Sequence, residues 1–221
     1  MIKLTSDAYT SSASGFTYSI NLAHATTDLP TNVDDEDVVD GAPLLARPLS
    51  QLTRATYHIA KVDLILVVRD FIDAVNASYP NPSYDTILAL DRSFRDAYAA
   101  TPAGLRPDLP QPVTLQNSTA FIEQQRLFQG IALHNRLIRL HRAYMLKGYK
   151  DQMYAYSTTV CVESSYALLD LVSLSRREIL LWWVVLVHVW TAGLVLAADM
   201  FRAVDSRRQR KAVDVAISLL Q

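Results

Sequence analysis

Residues 138–151 read Ile138-Arg139-Leu140-His141-Arg142-Ala143-Tyr144-Met145-Leu146-Lys147-Gly148-Tyr149-Lys150-Asp151. Upstream of them, Phe121, Leu127, Ile131, Leu133 and Leu137 join Ile138, Leu140 and Met145 as the apolar face of one helix over about 114–146. Gly148 predicts the end of that helix, and Lys147 sits where a cation favours the carbonyl end of the dipole. A further helix is expected over about 151–172, with Tyr154, Tyr156, Ser157 and Cys161 on it.

Working outward, Pro48 and Ser50 predict a helix start, and Ala55, Ile59, Val62, Ile65, Leu66, Phe71, Ile72 and Val75 continue it to about Tyr79 at three- and four-residue spacing. Another helix fits residues 84–99. Pro102, Pro107, Pro110 and Pro112 then impose a loop over about 101–113. Ser175 and Glu178 have capping-box spacing, so a helix is expected at once, reaching about Val204, followed by an amphipathic segment from Arg207 to Leu220. No stretch alternates as a strand and no repeat is present. The expected fold is all-α: an irregular multi-helix bundle with a central apolar helix and an irregular N-terminal segment. Residues 1–50 form the Ser/Thr/acidic segment, and residues 51–221 the helical domain with the Pro-rich loop inside it.

The 221 residues are 50% hydrophobic and 19% charged, enough apolar material for a substantial core. Net charge is −1, which argues against duplex binding by this chain alone. The one cysteine, Cys161, excludes an internal disulfide and a cysteine-rich zinc site, and reads as a small core residue. The N-terminus lacks the apolar core of a secretory signal, so the sequons at Asn76 and Asn117 read as chance matches. His134 and His141 lie seven apart, too far for a zinc-protease pair. The six glycines are isolated, with no phosphate loop and no Gly-x-Ser-x-Gly elbow. No catalytic residue, metal or cofactor is expected.

Residues 179–198, ILLWWVVLVHVWTAGLVLAA, carry no formal charge and are long enough for a ~30 Å hydrocarbon core. Against a membrane span, His188 lies at the centre and the tryptophans form no two-sided belt. A helix apolar all round also suits the middle of a helical domain. Membrane anchoring by 179–198 stands as an alternative reading, as does a small-molecule pocket near His141 and Tyr144. Asp34, Asp35, Glu36 and Asp37 form an acidic loop, either solvated or a contact surface. Arg126, Arg136, Arg139, His141, Arg142, Lys147 and Lys150 form one basic cluster. Arg202, Arg207, Arg208, Arg210 and Lys211 form another; the two read as solvated helix faces, as contacts for acidic partners, or, at Arg207, Arg208, Arg210 and Lys211, as a short nuclear-import signal.

Leu140-His141-Arg142 with Tyr144 resembles the Leu-His-Arg-Pro-(Phe/Tyr) block of the fungal-specific transcription factor domain, the middle homology region of zinc-cluster transcription factors. Leu29-Pro30-Thr31-Asn32-Val33-Asp34-Asp35-Glu36-Asp37 is similar to a segment of several family branches. The stretch from Tyr154 through Ser157 and Cys161 to Ala167 looks like the helix after the block, and Trp182 to Leu196 like a later aromatic helix. Ala143 replaces the family's usual proline, so the expected kink is lost.

The resemblance implies a helical regulatory domain in the nucleus, responsive to co-regulators, the transcription machinery or a small-molecule effector. It makes 179–198 a core helix and a membrane partner unlikely. DNA would be contacted only through a six-cysteine cluster that this chain does not contain, and the early Arg-Arg-x-x-(Trp/Phe)-Trp helix is missing too. The chain would correspond to a truncated, C-terminal part of the domain, with apolar faces exposed. Leu140, His141, Arg142, Tyr144 and Ser157 would be structural or regulatory. Arg142 would pair with a carboxylate, and His141 would fix the turn near Gly148.

Overall fold

The structure, a computed structural model, describes residues 7, 11, 17–24, 27–78, 82–110, 120–175, 177–202 and 206–221, without the side chains of residues 22 and 177. Among these it is all-α, with no strand. The helices are α1 (Thr56–Ala77), α2 (Tyr84–Ala99), α3 (Ala120–Met145), α4 (Ala155–Leu174), α5 (Trp183–Met200) and α6 (Arg207–Leu219). The chain forms two compact units, Met1–Gln129 and Gly130–Gln221. Residues 1–50 fall within the first, and the division lies inside α3.

In the first unit α1 packs on α2. Ile65, Ile72, Ile87, Phe94 and Leu105 are fully enclosed. α2 begins where its sequence predicts: the Ser83 hydroxyl accepts from the Thr86 amide at 3.2 Å, and Asp85 lies in the first turn. α1 begins later than Pro48 and Ser50 suggest, and the buried Asn32 side chain explains why. Its amide group donates to the carbonyls of Arg47, Pro48 and Gln51 at 3.0–3.1 Å. Its Oδ1 accepts from the hydroxyls of Thr53 and Thr56, both at 2.7 Å. Carbonyls so engaged hold 47–53 in turns. The Thr56 hydroxyl accepts from the Thr53 amide at 2.7 Å, and Thr53 Oγ1 from the Ala55 amide at 3.2 Å, which satisfies donors at the helix entrance. Residues 17–20 are also anchored to α1. Tyr18 donates to Asp73 at 2.6 Å, and the buried Arg69 lies over the Tyr18 ring and donates to the Ile20 carbonyl at 2.7 Å.

In the second unit α5 packs against both α4 and α6, and α6 also touches α4. Val185, Val189, Ala192, Val195, Leu196 and Asp199 form the buried side of α5. Gly193 allows α6 to come close: a Cβ there would lie 3.2 Å from the Cβ of Ala216. The apolar run 179–198 is not one helix. Ser175 is extended, and its hydroxyl and amide both donate to the Val172 carbonyl, so it closes α4 instead of capping the next helix. A 3-10 turn, Arg177–Leu181, and an extended Trp182 come before α5. The expected helix start near Thr114, the end of the Pro-rich loop and the expected end of α5 near Val204 lie outside the described residues.

Asn32→Ala should strip partners from two buried hydroxyls and three carbonyls, lowering unfolding free energy by at least ~2 kcal/mol. Urea denaturation would measure it.

Candidate functional site

The Leu-His-Arg block occupies the last two turns of α3 and faces the start of α4. Leu140 and His141 are fully buried, and Tyr144 nearly so. His141 Nδ1 shares a 2.8 Å hydrogen bond with Ser157 Oγ, itself fully buried on α4. The Tyr156 ring meets His141 edge-on at 5.6 Å. Tyr144 stacks on Tyr154 at 5.3 Å, and Lys147 lies over both rings at 4.6 and 5.4 Å. The connection tightens further where the Thr158 hydroxyl donates to the Met145 carbonyl at 2.6 Å. A Cβ on Gly148 would run into Thr158 Oγ1 and lie 2.6 Å from the Tyr154 carbonyl oxygen. Glycine is needed there for close approach. The Gly148 amide bonds the carbonyls of Tyr144 and Met145, ending α3 as the sequence predicts. With Ala143 in place of proline, the helix runs straight through that position to Met145.

A serine beside a histidine is the geometry of an activated nucleophile. Here both side chains are closed off from solvent, so no substrate reaches them. The neighbouring Cys161 is likewise enclosed, and burial pushes its thiol up to about 12, far from a reactive thiolate. The same burial leaves His141 and Tyr144 little surface for a small-molecule pocket. Arg142 points outward, and its expected carboxylate partner is not found among the described residues. Among the described residues no three His, Cys, Asp or Glu side chains converge as metal ligands.

The acidic loop is paired internally. Asp35–Asp37 form a 3-10 turn with a reciprocal cap between Asp34 and Asp37. Asp34 accepts from the Arg54 amide at 2.8 Å and lies 3.4 Å from Arg47, which also donates to Asp37 at 2.6 Å. Arg54 stands 3.7 Å from both Asp35 and Glu36. These partly exposed pairs add little stability. Their consequence is that two arginines offset much of the charge available to a basic partner.

The basic clusters disperse as well. Arg126 donates to the carbonyls of Gly104 and Leu109 in its own unit. Arg136 is buried, and burial together with Arg136 and Arg142 lowers the Arg139 guanidinium to about 10. At the C-terminus, Arg208 lies over the Tyr166 ring at 3.8 Å and pairs with Glu163 at 3.3 Å. Arg207, Arg210 and Lys211 are exposed.

Sequence reading missed Asp199 as a tie point. Tyr149 donates to one of its carboxylate oxygens, and Gln209 to the other at 2.8 Å, which joins the turn after α3, the end of α5 and α6. An acid closing a twenty-residue apolar run was the available signal.

No family model matches the chain, and no solved structure matches it. Over 70% of its length the chain is 33% identical to the agnestins biosynthesis cluster transcription factor AgnL11 of Paecilomyces divaricatus, covering 22% of that protein. It is 30% identical over 78% of its length to the Zn(2)-C6 fungal-type transcription factor mpsB of Macrophomina phaseolina, covering 23%. It is 28% identical over 73% of its length to the probable transcription factor lepB of Aspergillus flavus, covering 30%. The chain is thus a relative of fungal transcription factors of zinc-cluster type, and it spans less than a third of the length of these relatives.

α5 is long and apolar enough to cross a membrane by length and composition, with a mean hydropathy of 1.7. It is nonetheless packed on two helices, with its terminal acid satisfied. His188, near its middle, has a buried Nδ1 without a hydrogen-bond partner among the described residues. Burial, reinforced by the charges of Arg136 and Arg139, lowers its pKa to about 3. The unfolded chain therefore binds a proton near pH 6.5 that the folded chain refuses. Stability from this residue is intact above pH 6.5 and falls as pH drops toward 3. Between pH 7 and pH 5, wild type should lose roughly 1–2 kcal/mol more than His188→Gln. Paired urea titrations would show it.

Proposed function

We propose that this chain is the helical regulatory region of a fungal zinc-cluster-type transcription factor, acting through partner or effector contacts and not through catalysis. The similarity to AgnL11, 33% over 159 residues, carries the reading. The all-helical fold, the sealed His141–Ser157 pair and the near-neutral net charge support it. DNA contact of the zinc-cluster kind needs six cysteines, and this chain has a single cysteine. Binding to promoters would therefore be supplied by another module or partner. Co-regulators or the transcription machinery are the partners, a small molecule is the candidate effector, and the nucleus is the location.

Within this reading the Leu-His-Arg block is a structural node that keeps α3 and α4 in register. Arg142, Lys150, Arg210 and Lys211 are among the outward-facing cations available to partners. Arg208 is occupied by Glu163 and Tyr166, so any import signal rests on its neighbours.

Tethered to a heterologous DNA-binding module in a fungal reporter strain, the chain should change transcription several-fold relative to the module alone. Ser157→Ala should weaken that effect in step with lost stability, whereas an enzyme would show a specific activity defect. Reporter output equal to the module alone across growth conditions would overturn the reading.

A further inference from the structure

Residues 38–46 lead out from the acidic turn and return beside it. The excursion is held closed at its base: Arg47 donates to Asp37 at 2.6 Å, and the Arg47 amide donates to the Asn32 carbonyl at 2.9 Å. Within it the Ala42 amide bonds the Val39 carbonyl at 3.1 Å, across a turn with Gly41 at φ +76°. Compact surface loops with their ends held together are frequently functional. Loops are ordinarily polar, yet here Val38 is 59% exposed, Val39 63% and Leu45 79%, and Leu44 is open too. Every residue from 38 to 46 is exposed, so the loop buries none of its apolar side chains. At its base Pro43, Leu45, Ala46 and Pro48, with the paired Asp37 and Arg47, line a surface cleft of about 390 Å³, at the small end of clefts that hold a ligand.

The charge around this apolar loop has one sign. Asp34, Asp35, Glu36, Asp37 and Asp40 stand against Arg47 and Arg54: five carboxylates to two guanidiniums, an excess of three negative charges in a chain whose net charge is −1. The Asp35 and Glu36 side chains are 86% and 72% exposed, and at 3.7 Å Arg54 answers them only weakly. Asp40, on the turn itself, is in no ion pair among the described residues.

Building on the regulatory reading above, we propose that this loop docks a basic amphipathic segment of a partner protein. An apolar side chain of the partner enters the cleft, and lysine or arginine residues beside it meet Asp35, Glu36 and Asp40. Long cationic side chains suit the surface because their stems cover valine and leucine while their heads stay among the carboxylates. An acidic peptide, a nucleic acid or an anionic membrane would meet the same carboxylates with like charge. A footprint of one loop and one cleft is that of a transient contact, with a Kd on the order of tens of micromolar.

Fluorescence anisotropy of the whole chain with short synthetic helical peptides tests this. One peptide carries leucine on one face and lysine on the other, a second has glutamate for lysine, and a third has serine for leucine. The Leu/Lys peptide should bind on the order of tens of micromolar, and the other two at least ~10-fold more weakly. Leu45→Ser should weaken the Leu/Lys peptide ~5–10-fold. Asp35→Asn combined with Asp40→Asn should weaken it roughly 3–10-fold, a loss that shrinks at high salt. Trp190→Ser, on the open apolar side of α5, should leave it unchanged. All these positions are exposed, and circular dichroism checks that helicity is kept. Equal affinity for the Leu/Glu peptide, or a loss with Trp190→Ser in place of Leu45→Ser, would overturn the proposal. Loop-dependent self-association in sedimentation velocity would overturn it in favour of a second copy. In the tethered reporter, the Leu45, Asp35 and Asp40 changes together should bring transcription toward that of the module alone. An undiminished effect overturns the docking loop and leaves the regulatory reading standing, whereas a wild-type chain with no effect overturns that reading.

Discussion

The second unit depends on how closely the end of α3 approaches the start of α4. At Gly148 there is no room for a single carbon more, because Thr158 and the Tyr154 backbone occupy the space. Interiors packed to this density transmit any change of volume to their neighbours. Once the two helices meet there, the Thr158 hydroxyl reaches the Met145 carbonyl, Tyr144 and Tyr154 stack, and His141 lies against Ser157. Each contact excludes water from the next, so the polar groups strengthen one another in a low-dielectric setting. Removing one member leaves its partner buried and unsatisfied, which costs more than the bond itself contributes.

From this junction the charged groups acquire their meaning. Tyr149, in the turn, reaches Asp199, and Asp199 holds Gln209, so the α3–α4 turn sets where α5 ends and α6 begins. Arg208 completes the ring through Glu163 and Tyr166 of α4. The basic C-terminal stretch is thus partly structural. In the first unit Asn32 plays the corresponding part, gathering carbonyls from 47–51 and hydroxyls from Thr53 and Thr56. The acidic residues after it are tied to Arg47 and Arg54.

Helices with strong period and local stop signals were readable from residues alone. α2 spans the 84–99 that its apolar spacing indicates, and α3 stops at the Gly148 turn. Ser50 and Ser175 look like caps in the sequence and are not, because side chains and carbonyls elsewhere claim them: Asn32 holds the turns around residue 50, and Val172 takes both donors of Ser175. Such long-range competition is invisible to spacing. The His141–Ser157 bond was legible only as two residues of one resembling block. The Asp199 tie, fifty positions from Tyr149, left no periodic trace. The two apolar faces of α5 gave the same uniform run that a membrane span gives, and only packing separates the buried face from the open one.

The view of the Leu-His-Arg block as a buried structural node, and not an exposed contact or a reactive pair, rests on the bond between His141 and Ser157. A double-mutant cycle with His141→Ala, Ser157→Ala and both together, read by chemical denaturation, measures that bond directly. A coupling of about 1–3 kcal/mol is expected for two buried polar groups that satisfy each other. Single effects that add to within ~0.5 kcal/mol would contradict it.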